Sequence, residues 1–387
     1  PASCSINGTV LERATLPRHS YTGRASATTM SLEWHRKLWS LVEYKIQIDV
    51  PQKYSRSYVS MTRLARLALV AAFIFLHQRA VCGDENWASW RGPGLDGVAA
   101  EGVYPTKWSA TENIIWQYEL PGIGASTPII WGDKLFLTGA ADGKNSVLCV
   151  DLNGKKQWLT QFGEERPAKN RKASGSNSSP VTDGQFIFAY FKSGELACLD
   201  FAGKLIWKQN LQEMYGEDTL WWDLGSSPVL TSKGVVITCM QTGNSYVACF
   251  EKESGKELWK QDRNVEAPGE SAQSYTTPVV VNRGGREEIV VLGADHVTSH
   301  HVSDGKLIWQ VRELNPRGIQ NYRSISSPVL AQGHIVVPYG RGSTVTAIRL
   351  GGTGDVTSSH VAWNVVGRFS DVPSPAAHKD KVYFCSD

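Results

Sequence analysis

The chain has 387 residues, enough for two or three ordinary domains or one large all-β domain. Charged residues make up 20% and the apolar set 41%, which excludes global disorder. No apolar run nears 18 residues, which excludes a polytopic membrane protein. The formal charge of +3 is unevenly spread: from Gly83 onward 29 basic residues face 33 acidic ones, so the main body lacks the basic surface of a nucleic-acid binder.

Residues 1–60 begin with Pro1 and hold eight Lys/Arg against four Asp/Glu. They show no sustained helical or strand period and are read as a disordered or non-native leader. From Met61 the pattern changes. Arg63 and Arg66 form a positive region and Leu67–Leu76 an apolar stretch, before small residues at Ala80-Val81-Cys82. That is the pattern of a secretory signal over 61–82. Its ten apolar residues would rise about 15 Å as a helix, half a bilayer core, so no transmembrane anchor is expected. Lipidation at Cys82 is the weaker alternative, because Arg79 and Val81 are poor neighbours for it.

An opening segment covers 83–112, and a repeat organises 113–387. Ser/Thr-Pro steps recur at Thr127-Pro128, Ser179-Pro180, Ser227-Pro228, Thr277-Pro278, Ser327-Pro328 and Ser374-Pro375, at spacings of 52, 48, 50, 50 and 47 residues. A Gly-Lys turn followed by Trp keeps the same period, ending at Trp158, Trp207, Trp259 and Trp309, with a degenerate copy at Trp363. Each unit reads as four short strands. In the third they are Ser227–Thr231, Val235–Met240, Tyr246–Phe250 and Glu257–Gln261, with Cys239 opposite Ala248. Four strands in ~40–50 residues is the size of one β-propeller blade. The fold class is therefore all-β, with about five complete blades and a partial sixth. Asn113–Leu120, carrying Trp116, reads as an isolated outer strand. One indole per unit (Trp116, Trp158, Trp207, Trp259, Trp309, Trp363) is expected to fill the wedge between neighbouring sheets.

Ala248-Cys249-Phe250-Glu251 through Gly255-Lys256-Glu257-Leu258-Trp259 resembles the repeat of the PQQ-like (pyrroloquinoline-quinone-like) β-propellers. Ala197–Asp200 and Val150-Asp151 match its middle part, and Trp87–Pro93 resembles the opening of secreted, planctomycete-type members. The resemblance spans Trp87 to Asp387 and implies a fold shared with the outer-membrane assembly lipoprotein and the quinoprotein dehydrogenases. It also implies seven or eight blades. The chain stops in the second strand of a sixth unit, so a C-terminally incomplete ring is expected.

For a dehydrogenase, the resemblance implies PQQ on an adjacent-cysteine disulfide, with Glu, Asn and Asp around calcium. The sequence has no Cys-Cys pair and no mappable acidic cluster, so no cofactor is expected. Cys149, Cys198, Cys239 and Cys249 read as buried small side chains, Cys239 and Cys249 pointing to opposite faces. His296 falls in a turn, and His300 and His301 adjoin on a strand; they read as surface and turn residues, short of a zinc set. Neither a nucleophile elbow nor a Walker loop is present after residue 82.

The connections from each Trp to the next Pro run 22, 21, 19, 19 and then 12 residues. They carry Arg166, Arg171, Tyr215, Trp221, Trp222, Tyr275, Tyr322 and Arg323, a composition suited to a recognition face, though Trp221 and Trp222 could equally pack under their own loop. The reading is an exported, non-catalytic scaffold for a protein or ligand, its partner a protein or cell-envelope component. A PQQ-dependent dehydrogenase is the alternative. The sensor portion of a kinase-related protein is a third, for which no kinase motif or second span is visible. The signal reading makes one direct prediction: N-terminal sequencing of exported protein should start near Gly83. Peptides from Ser31–Tyr58 in that product would contradict it.

Overall fold

The computed structural model describes residues 86–387. The expected leader and signal, 1–60 and 61–82, lie outside the described residues. Within 86–387 the chain builds successive antiparallel sheets over 129–164, 181–210, 229–262, 279–311 and 329–366, and a two-stranded hairpin over 376–383. In every sheet consecutive strands are neighbours, the meander of a propeller blade. Among the described residues no helix is long and apolar enough to cross a membrane.

The strands alternate buried side chains toward both neighbours, so the core is a series of layers between sheets. In Tyr246–Phe250, Tyr246, Ala248 and Phe250 join the layer against the second sheet, while Val247 and Cys249 join the layer against the fourth. Cys239 stands opposite Tyr246, two residues from the expected register. A shift of two keeps side-chain parity, so Cys239 and Cys249 still face opposite layers. Cys149, Cys198 and Cys249 each stand directly across from the blade's Trp, at Trp158, Trp207 and Trp259. Ser299 and Ala347 take that place opposite Trp309 and Trp363. A β-bulge follows the small residue in all five sheets, locally increasing the twist beside the indole. The recurring cysteines are thus the small partners of large rings. Cys385 differs and is exposed.

Two kinds of bond join one blade to the next. At the periphery, the indole N–H of Trp116, Trp158, Trp207 and Trp259 donates to Leu152, Phe201, Lys252 and Val302 of the following unit, at 2.7–3.1 Å. Each ring lies against that unit's turn glycine: Gly154, Gly203, Gly255 or Gly305. Nearer the axis, the backbone N–H of each Ser/Thr before proline donates to the hydroxyl of its counterpart one unit on. Thr127 bonds Ser179, Ser179 bonds Ser227, Ser227 bonds Thr277, Thr277 bonds Ser327 and Ser327 bonds Ser374, all at 2.8–3.0 Å.

Trp309 fills the layer between the fourth and fifth sheets as expected, but its indole N–H stays within its own unit and donates to the buried Glu288 carboxylate at 3.2 Å, beside Ser299. The cause is the long connection 350–360, whose strand Gly354–Asp355 pairs in parallel with Leu307–Val311 and closes that seam instead. Trp363 packs half-buried against the sixth unit without such a bond. Three expectations need correction. Asn113–Leu120 forms no strand, because no strand runs beside it among the described residues; Trp116 and Tyr118 pack it against the first sheet. His300 is buried rather than on the surface, held between the Gly305 carbonyl and the Thr298 hydroxyl, and burial lowers its pKa to about 4. His296 opens the strand His296–His301 rather than occupying a turn.

The clasp gives a stability prediction. At Gly255, with φ +70°, an added Cβ would lie 2.5 Å from the Trp207 ring. Gly255→Ala should cost about 2–4 kcal/mol from left-handed strain plus overpacking. Gly132 has φ +60° and open space around it, so Gly132→Ala should cost only about 1–2 kcal/mol. Urea unfolding of both variants measures the gap.

Candidate functional site

The inner strands enclose a cavity of about 620 Å³, lined by all six Ser/Thr residues of the hydroxyl belt. Because units one to six all contribute, the cavity lies on the axis of the blades. Segment 87–97 crosses it. Trp87 exchanges backbone bonds with Ile130 of the first unit, and the Ala88 carbonyl accepts from Thr182 of the second. Arg91 donates to the Ser374 and Pro375 carbonyls of the sixth, while the Asp96 carbonyl accepts from Ala377. Trp90, with the Arg91 guanidinium 5.4 Å from its ring centre, thereby stands in the cavity wall.

The long connections supply the remaining lining: Asn170 and Lys172, then Trp222 and Asp223, Tyr275, Arg323 and Val372. Of the eight residues expected on a recognition face, the structure gathers Trp222, Tyr275 and Arg323 here. The Tyr275 hydroxyl accepts the Trp222 backbone N–H at 3.2 Å, and the Trp222 indole donates to Glu270 at 2.7 Å. Arg323 lies 3.6 Å from Glu270 and 3.3 Å from Asp371. Trp221 is 56% exposed and Trp222 45%, so neither is packed away under its loop.

The other expected residues lie elsewhere. Arg166 bridges Glu217 and Asp218 and also bonds Gln212. Tyr215 donates to Glu257 at 2.8 Å and packs on Tyr246, below the Lys260 ammonium. Arg171 is exposed outside the cavity lining. Tyr322 packs edge-on against Tyr339 and lines a second, 960 Å³ groove between the fourth and fifth units.

Sequence reasoning missed Lys192 and Asp223, a buried ion pair with side chains 3% and 1% exposed. Asp223 also accepts the backbone N–H groups of Lys169 and Asn170, and Lys192 donates to the Pro167 carbonyl at 2.6 Å. The pair thereby ties the first long connection to the second and sets Trp222, the next residue, at the mouth. Burial opposes the Asp223 charge, but these bonds outweigh it and hold the carboxyl below its ordinary pKa. Nothing in the sequence marks two residues 31 apart with no repeated counterpart. The belt hydroxyls were visible as punctuation, and their invariant Ser/Thr character was the unused signal.

A family profile described as outer membrane protein assembly factor BamB matches residues 106–249 and 202–386. The chain belongs to that family. A BamB of Nitrosomonas eutropha is 29% identical over 162 residues, which span 39% of this chain and only 35% of that protein. Among solved structures, quinohemoprotein alcohol dehydrogenase from Comamonas testosteroni aligns with a TM-score of 0.53 at 12% identity, covering 77% of this chain and 52% of its own. A europium-containing methanol dehydrogenase aligns at 0.52 and 12%, covering 76% and 62%. At these identities the two enzymes share the propeller fold with this BamB-family chain. Among the described residues no group of three or more His, Cys, Asp or Glu side chains could hold a metal ion. Asp223, the carboxylate in the cavity lining, is already taken by Lys192.

Removing the lysine tests the mouth's architecture. Lys192→Met should cost about 3–5 kcal/mol at pH 7, since it strands a buried carboxylate. In the wild type, the Asp223 contribution is complete above its unfolded pKa of 3.8 and fades only below it. In the variant, burial without the lysine should raise the folded pKa, so protonation relieves the penalty and the deficit narrows on acidification. Urea unfolding at pH 7 and pH 5 reads this; an equal deficit at both would refute it.

Proposed function

We propose that this chain is an exported, non-catalytic propeller scaffold that binds a protein of the cell envelope through the loops around the axial mouth. The observation that carries this reading is the pair Trp221–Trp222, large indoles held outward on a connection pinned by a buried ion pair. Preorganised aromatic side chains on a rigid support cost little entropy to bind and are the usual anchors of protein interfaces. Membership of the BamB family supports an envelope partner, by analogy with the name that family carries.

The test is a photo-crosslinking amino acid at position 221, with a control at the remote turn residue Lys233, in cells making the full chain. A discrete protein adduct at 221 and none at 233 is expected. A double Trp221→Ala, Trp222→Ala variant should keep its melting temperature and abolish adducts from a crosslinker at neighbouring Thr219. Equal adducts at both positions, or dye reduction by the full chain with PQQ, calcium and an alcohol, would overturn the reading.

A further inference from the structure

The axial cavity has a donor pattern that protein contacts leave unused. Ser179, Ser227, Thr277, Ser327 and Ser374 each accept a backbone N–H from the preceding unit. A hydroxyl that accepts still has a proton to donate, and for these five no acceptor stands among the described residues. Accepting a bond also polarises the O–H and strengthens it as a donor. Five such hydroxyls open into one cavity.

Charge around the cavity favours the same kind of occupant. Asp223 is neutralised by Lys192, and Glu270 and Asp371 are matched by Arg323 and Arg341. Lys172 remains at the rim with no ion-pair partner among the described residues. The lining also presents the apolar side chains Trp90, Trp222, Ile325 and Val372, interspersed with the polar Asn170, Asn177 and Tyr275. The bond to Glu270 fixes the Trp222 ring while leaving it half exposed. The volume, about 620 Å³, suits a small molecule and is far too small for a folded partner.

We propose that the axial cavity binds a small organic carboxylate, with its acid group on the hydroxyl belt and its apolar body between the Trp90 and Trp222 indoles. The cavity shares Trp222 with the scaffold face, but the acid–amide comparison and Lys172→Gln leave Trp221 untouched, so failure of one reading is distinguishable from failure of the other.

The experiment is calorimetric titration of the full chain with phenylacetate and with its neutral isostere, phenylacetamide. Saturable one-to-one binding of the acid is expected, with the amide at least about tenfold weaker, since bonds to a charged acceptor are the stronger kind. Trp222→Ala and Lys172→Gln, both at exposed side chains, should each weaken the acid while leaving the melting temperature unchanged. Ser227→Ala removes an interblade bond as well as a donor; Ser227→Thr restores both and should restore binding. Equal affinity for acid and amide would overturn the proposal. So would undiminished binding in Trp222→Ala, or no saturable heat at millimolar probe with a cooperatively folded protein.

Discussion

A backbone N–H that reaches past its own sheet to a hydroxyl one unit on is the constraint around which the rest of the molecule is arranged. The Ser/Thr making this bond precedes a proline, which has no N–H of its own to satisfy at the strand's start. The side chain accepts from one neighbour while the main chain donates to the other, so a single residue type links three units. Repeating it five times sets the inner strands at a common distance from the axis, and the axial cavity is what remains. A residue without a side-chain acceptor at this position would leave a buried N–H unpaired, at a cost of about 1–3 kcal/mol.

The outer edge of the wheel follows a different logic. There the indole of one blade fits against the turn glycine of the next, and a small residue across the strand pair makes room for it. The seam between the fourth and fifth units shows what happens when this correspondence lapses. Glu288, bonded by Ser299 and Arg286, draws the Trp309 N–H inward, and the fifth unit extends a loop that adds a parallel strand where the clasp would have been. A groove of about 960 Å³ opens beside that seam.

Periodicity made the architecture legible. Proline and tryptophan marks placed all five sheets, and in the third unit the strand Tyr246–Phe250 agrees to the residue. The register erred by two because the turn was read at Thr242–Asn244. The strand instead ends at Cys239, and the Gln241 N–H bonds the Ser245 hydroxyl across a longer connection. Trp222, Tyr275 and Arg323 were legible as a group because aromatic and arginine side chains on long loops are uncommon unless used. Arg166 and Tyr215 carry the same chemistry but are spent on local ion pairs and stacking, a distinction that composition cannot draw. Lys192 and Asp223 escaped for the opposite reason: they occur once, and only burial reveals that they belong together.

The segment that crosses the cavity also governs the order of assembly. Each blade folds from contacts within about fifty residues, and each seam from contacts with the next unit. Arg91 is bonded to carbonyls 283 and 284 residues away. Trp87–Asp96 is synthesised before any blade, yet half of its partners arrive only with the sixth unit. Closing so long a loop carries an entropic barrier that local strand pairing does not face. The blades can therefore form one after another, and the tryptophan of the cavity wall is set in place last.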